Sequence, residues 1–267
     1  MRAVEFEISQ IYDTRDRVSD FVVRRPHVEA SAERCSRGLP APPRDLQLGY
    51  AETDRQFFDV GRSDMRSVAA ICESVGFTPA AGERVLDFGC AAGRLTRWVT
   101  DSWPQTVAWG VDIDAPRISW ARQHLGSVAK FVMTTKLPHL PFADGFFASI
   151  FAFSVFSHVD DLTQCWLLEL GRVMRPGGVA VLTIMDEHTI EMMERRYSDH
   201  ALPQRLAGYR SYYENRDFDM FAITRDSVAD VWQRSDYFAE MAQPIFDVIR
   251  IVPGFHGWQT GVVLRRA

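Results

Sequence analysis

The sequence predicts a doubly wound, Rossmann-like α/β sheet, mostly parallel, with an antiparallel C-terminal hairpin strand, a helical insert and an N-terminal extension. Three observations predict it. From Glu83 onward, short apolar runs alternate with helical patterns, as parallel βαβ units require. The first of these runs ends in Gly89-Cys90-Ala91-Ala92-Gly93, a small-residue turn leading into a helical pattern. The chain then finishes in two apolar runs, 244–252 and 258–265, joined by Pro253-Gly254-Phe255-His256-Gly257, which reads as a hairpin.

The elements follow in order. Residues 1–50 form the extension: Val4, Phe6 and Ile8 alternate like a strand, while Ile11, Tyr12 and Val18 fit a helix as well. Prolines at 40, 42 and 43 predict a loop, because proline fixes φ and lacks a donor. Residues 51–267 form the main domain. Phe57, Phe58, Met65, Val68, Ile71, Cys72 and Val75 predict a helix over 53–75. Strands are expected at 84–88, 107–112, 130–134, 147–153 and 179–184, and helices at 94–100, 115–125 and 162–174. The run 147–153 is nearly continuous in apolar residues, as befits a strand covered on both faces. Arg175-Pro176-Gly177-Gly178 is expected to stop the helix before the fifth strand. Residues 186–223 break the rhythm and predict one or two helices outside the sheet, an insert on the acceptor side. Residues 224–235 are read as a helix with Thr224 as its N-cap.

A chain of 267 residues, 46% hydrophobic, can bury an ample core without disulfides or a structural metal. The formal net charge of −5 argues against nucleic acid as the main partner, which wants a basic footprint. The four cysteines form no CxxC pair and the histidines show no metal spacing, so no metal site is expected. No apolar run reaches membrane-spanning length, and Met1 to Gln10 lacks the apolar core of a signal peptide. The expectation is a soluble, reduced, cytoplasmic setting with no membrane partner. The oligomeric state is not readable.

The chemistry concentrates at two predicted strand ends. Asp87 stands just before the small-residue turn, and Asp112 ends the next strand, where a ribose-binding carboxylate belongs. A helix start after the turn offers N–H groups to a ligand. A dinucleotide would want GxGxxG, with pyrophosphate on the helix dipole. Here a carboxylate precedes Gly-Cys-Ala-Ala-Gly, which suits a cationic ligand better.

Asp87-Phe88-Gly89-Cys90-Ala91-Ala92-Gly93 resembles motif I of the class I S-adenosylmethionine-dependent methyltransferases. Gly110-Val111-Asp112-Ile113-Asp114 is similar to their second motif, and Leu140-Pro141-Phe142-Ala143-Asp144-Gly145-Phe146-Phe147 to the segment entering their fourth strand. The stretch from Leu170 to Gly178 resembles their passage into the fifth strand. The resemblance implies S-adenosylmethionine as cofactor, with Gly89, Cys90, Ala91 and Gly93 lining its methionine part. It implies that Asp112 holds the ribose hydroxyls, that Ile113 packs on adenine, and that Ser154 helps close the site. Two departures stand out: Ala91 replaces a usual glycine, and Thr135-Lys136 replace an acid that often holds the adenine amine. Residues 151–158, 225–228 and 257–260 further resemble a bacterial branch linked to glycan or other small polar acceptors. That likeness implies methyl transfer, as O-methylation, to a small-molecule acceptor.

His158, just after the fourth strand, is the first candidate for a general base, and His256 the second. Tyr209, Tyr212 and Tyr213, with Phe218 and Phe221, read either as a lid or as the packing face of the insert. Two other readings stay open: an NAD(P)-dependent oxidoreductase on a similar sheet, and a non-catalytic cofactor-binding subunit.

Overall fold

The computed structural model describes residues 29–197, 199–215, 217–225 and 228–267. The expectations at Val4, Phe6, Ile8, Ile11, Tyr12 and Val18 lie outside them. The chain forms two compact units that divide inside one strand, between Ile150 and Phe151.

The first unit contains α1 (Asp54–Ser74), β1 (Arg84–Phe88), α2 (Val99–Ser102), β2 (Val107–Asp112), α3 (Ala115–Leu125), β3 (Lys130–Met133) and β4 (Phe147–Ala152), in which the division falls. Helix α1 opens on a capping box: Thr53 accepts from the Gln56 N–H while the Gln56 side chain returns to the cap backbone. Its buried stripe is Phe57, Phe58, Met65, Val68 and Cys72. The strand order is β3-β2-β1-β4. Strands β1, β2 and β3 are parallel, with Asp87 beside Gly110 and Asp112 beside Met133. One expectation is corrected here. The helix foreseen from Arg94 is a run of turns, a 3-10 turn at Thr96–Trp98, and only then the short α2. The cause is local. Gly93 sits at φ +74°. The fully buried Arg97 side chain takes its carbonyl at 2.9 Å and that of Pro40 at 2.7 Å, competing with the regular helical ladder.

The second unit continues from β4 with α4 (Thr163–Val173), β5 (Met174–Ile184), α5 (Glu187–Arg196), α6 (Ala201–Ala207), β6 (Met220–Arg225), β7 (Val228–Gln233), α7 (Ser235–Ala242), β8 (Phe246–His256) and β9 (Gln259–Arg266). Its strand order is β4-β5-β9-β8, and β9 runs antiparallel to both neighbours. The mostly parallel sheet with an antiparallel strand near its edge is the predicted class.

Three local readings are corrected in this unit. The helix does stop before Arg175-Pro176-Gly177-Gly178, at Val173, but the fifth strand takes these residues in and starts at Met174, not at 179. Pairing with β9 begins only at Val179, so the missing proline donor costs no ladder bond there. Residues 224–235 are not a helix: Thr224 lies in β6 opposite Ala229 of β7, and α7 starts at Ser235. The spacing of Val228, Val231 and Trp232 is helical, and burial of Trp232 in one cluster with Phe221 and Ile223 overrides it. Finally, Pro253 to His256 belong to β8, and the turn is Gly257-Trp258. Register shifts within β8 absorb the surplus residues as bulges, which an edge strand tolerates.

The insert has its own core. Met185, Ile190, Met193, Leu202, Leu206, Tyr213, Phe221, Ile223 and Trp232 form one buried cluster. Phe221 stacks on Trp232 with ring centres 5.0 Å apart. The aromatic group of 209–221 is thus chiefly packing: Tyr213 and Phe221 are buried, and only Tyr209 and Tyr212 are exposed. Among the described residues, no helix is long and apolar enough to cross a membrane.

Candidate functional site

In the first unit, the turn after β1 is closed by its own backbone. The Gly89 and Cys90 N–H groups both donate to the Val111 carbonyl at 2.9 Å, and the Gly93 N–H donates to Cys90 at 2.8 Å. The Ala91 N–H donates to Asp112 Oδ2 at 2.7 Å. These donors, expected to face a ligand, are turned inward instead. A pyrophosphate would find none of them free, whereas the acids at the strand ends suit positive charge and hydroxyls. Ala91 holds φ +47°, a left-handed conformation that glycine adopts without a Cβ penalty. The bond to Asp112 keeps it there.

Asp87 is buried, with Thr96 Oγ1 donating to its Oδ2 at 2.6 Å. Burial pushes its carboxyl up to about 7, against the pull of the Thr96 hydroxyl and the nearby Arg94 charge. Asp112 accepts from Ala91 through one oxygen and from the Asp114 N–H through the other, at 2.8 Å. Burial raises its carboxyl too, opposed by those two N–H groups. An ionised carboxylate has about four lone-pair sites, so each oxygen can still accept one hydroxyl of a vicinal diol. Ile113 follows as an exposed residue, 41% accessible, offering an apolar face beside that carboxylate. Asp114 turns away to cap α3.

Cys90 takes a different position from the one expected of a lining side chain. Its thiol is buried against Gly110, and burial raises it well above its ordinary range, so only its backbone can face a ligand. Gly93 is required by packing as well as by φ, since any Cβ there would sit 2.6 Å from Leu125 Cδ1. The Thr134 N–H donates to the Asp112 carbonyl at 2.9 Å, and Thr135 and Lys136 continue from it as an exposed loop. Thr96 was missed at the level of sequence. Its signal was the pair of glycines at 89 and 93, which lets the chain double back onto Asp87.

In the second unit, Ser154 follows β4 at φ +56°. Its N–H donates to Thr183 Oγ1 at 2.8 Å and its hydroxyl to Gln259 Oε1 at 3.2 Å. Ser154 therefore ties the end of β4 to β5 and β9. His158 lies in the next loop with its side chain 42% exposed. Its Nδ1 is 2.8 Å from the Ala229 carbonyl and 3.8 Å from Asp230 Oδ1. A carbonyl can only accept, so Nδ1 carries a proton, and in the neutral ring Nε2 is the nitrogen that keeps its lone pair. Asp230 is buried and also meets Arg205 at 3.2 Å. The Val231 N–H donates to the Ser157 carbonyl at 2.8 Å, fastening β7 to this loop. Neither Ala229 nor Asp230 was foreseen, because their segment was read as helix. His256 packs edge-on against Phe153 at 4.9 Å between ring centres. Among the described residues, no group of three His, Cys, Asp or Glu side chains is placed to hold a metal ion.

Residues 86–182 match a family model described as a methyltransferase domain. The chain is 24% identical over 165 residues to the malonyl-[acyl-carrier protein] O-methyltransferase of Hahella chejuensis, covering 59% of each. It thus spans about three fifths of that protein's length. It is 31% identical over 176 residues to the demethylmenaquinone methyltransferase of Tropheryma whipplei, covering 65% of this chain and 69% of that protein. Its fold is similar to that of magnesium protoporphyrin IX methyltransferase from Synechocystis, with a TM-score of 0.54 at 14% identity over 82% of this chain and 91% of the other.

Proposed function

The chain belongs to the class I S-adenosylmethionine-dependent methyltransferases, and on that premise we propose that it O-methylates a small polar acceptor, such as a sugar, a glycan precursor or another small metabolite. Bound S-adenosylmethionine supplies a methyl group already activated on a sulfonium. The first unit fits this cofactor, with a carboxylate for its ammonium and a second for its ribose. Asp87 would face the ammonium, Asp112 would accept the ribose hydroxyls, and Ile113 would lie against adenine. Gly89, Cys90, Ala91 and Gly93 would line the methionine part through their backbone. Thr135 and Lys136 would flank the adenine edge with hydroxyl and backbone groups. Ser154, which braces the end of β4, would help close the site.

The observation that carries O-methylation is the fixed tautomer of His158. With Nδ1–H given to Ala229, the exposed ring presents Nε2 as a base for an acceptor hydroxyl. The likeness to the Hahella relative, an O-methyltransferase, supports the same reading. His256 is the second candidate base. The remaining contribution is alignment of the reacting atoms and exclusion of water.

The test begins with pools of hydroxylated metabolites and S-adenosylhomocysteine release as the readout. With an acceptor in hand, single-turnover rates at saturating cofactor are compared for wild type and His158→Ala. The expected fall is about 10²–10⁴-fold, the usual worth of a general base, with S-adenosylhomocysteine affinity retained. A rate within a few-fold of wild type removes His158 from the chemistry.

A further inference from the structure

Arg94 has no task in the chemistry above, yet it is among the most constrained charges of the first unit. It directly follows Gly93, and its side chain is only 6% exposed. Three neighbours fix it. Its Nη1 pairs with Asp64 of α1. Its guanidinium lies over the Tyr50 ring, 4.0 Å from the ring centre. Helix α1 passes close at Gly61, where any Cβ would collide with the Arg94 carbonyl oxygen. Arg94 is also near enough to Asp87 for its charge to favour the ionised carboxyl there.

A guanidinium carries five N–H donors in a rigid planar fork. Among the described residues only Nη1 of Arg94 finds an acceptor, while Nε and Nη2 find none. These two groups are not among the buried polar atoms without a partner, so a fixed guanidinium presents them on its open side, where an anionic group can take them. Two parallel N–H groups match the two oxygens of a carboxylate. Asp87 and Arg94 flank the same turn with opposite charges, which is the complement of an α-amino acid.

We propose that the open side of the Arg94 fork binds the methionine carboxylate of the cofactor, held in place by Asp64 and Tyr50. This rests on S-adenosylmethionine being the cofactor, and it adds a recognition element for the one group that Asp87 and Asp112 would repel. It also gives α1 a role in cofactor binding through Asp64, beyond packing.

Calorimetric titration of the full chain with S-adenosylmethionine and with decarboxylated S-adenosylmethionine tests it. The second ligand keeps the sulfonium, ribose, adenine and ammonium and lacks only the carboxylate. Wild type should prefer the carboxylated ligand by about tenfold or more, the worth of a charge-assisted pair. Measured well above pH 7, where Asp87 stays ionised without help from Arg94, Arg94→Gln should erase that preference and leave decarboxylated-ligand affinity within about threefold. Arg94→Lys keeps the charge but not the fork, and should cut the preference at least threefold. Equal binding of the two ligands by wild type overturns the proposal, as does equal weakening of both in Arg94→Gln. Should the glutamine variant not fold, the wild-type ratio and the lysine variant decide. A wild type that binds neither ligand overturns the cofactor reading instead.

Discussion

The turn after β1 and the β6–β7 hairpin are both short pieces attached near strand ends, yet they are stabilised by different means. The turn is held by directional bonds: two N–H groups to Val111, one to Asp112, one to Cys90. It tolerates little change of backbone, and each acceptor also shapes the surface offered to a ligand. The hairpin is held by its apolar side: Phe221, Ile223 and Trp232 enter the same cluster as Met185, Ile190, Met193, Leu202 and Leu206. Its polar contributions, the Ala229 carbonyl and Asp230, sit on a scaffold whose stability comes from shape. Changes in the turn should therefore strike binding, and changes under the hairpin should strike stability.

The largest effect should come from Trp232→Ala, which empties a fully buried site in the hairpin cluster. Loss of a buried tryptophan of this kind costs about 3–5 kcal/mol in denaturant unfolding. S-adenosylhomocysteine affinity, measured well below the transition, should stay within about threefold. An affinity loss matching the stability loss would break the division of labour between the two regions.

An intermediate effect should come from pH. The Asp87 carboxyl titrates near 7, raised by burial. Its folded value lies above its unfolded one, so its contribution to stability is fully present below the unfolded value and is lost as pH rises through about 7. A cationic ligand favours the ionised form, so binding should release a proton and strengthen as pH rises towards 8. Between pH 7 and pH 6, S-adenosylmethionine affinity should fall by up to about tenfold, the limit for one coupled proton. Calorimetry in buffers of different ionisation enthalpy reads the proton directly. No proton release at pH 6.5 in wild type would detach Asp87 from the ammonium.

The smallest effect should come from Ala91→Gly. Glycine relieves the left-handed strain at φ +47° but adds freedom to the unfolded chain. The net expected gain is about 0.5–1 kcal/mol in unfolding free energy. A loss of stability would mean that the alanine methyl packs usefully enough to outweigh its dihedral.

Legibility in the sequence follows the range of the physical cause. The bounds of β1, β2 and α3 could be read directly, because a buried parallel strand, a glycine turn and a capped helix are each set by neighbours within a few residues. Asp87 and Asp112 could be placed at adjacent strand ends for the same reason. The segment 224–235 was misread because its apolar residues keep helical spacing, and only the cluster beneath it decides for strand. The partner of His158 is 71 residues away, which no local pattern signals. Arg94 looked like a residue of an ordinary helix start. Its meaning depends on Tyr50 and Asp64, brought to it by α1 and the loop before it.

The burial of Cys90 has a kinetic consequence. Cys35, Cys72 and Cys90 are buried and Cys165 is exposed. Burial pushes the Cys72 thiol up to about 12 and the Cys90 thiol well above its ordinary range, so neither forms the reactive thiolate in the folded protein. An alkylating reagent meets Cys165 immediately and Cys90 only when the motif turn opens. Because a ligand of the folded state suppresses opening in proportion to its occupancy, the alkylation rate of this one thiol acts as a clock. The motif thereby carries its own record of how often an unliganded site comes apart.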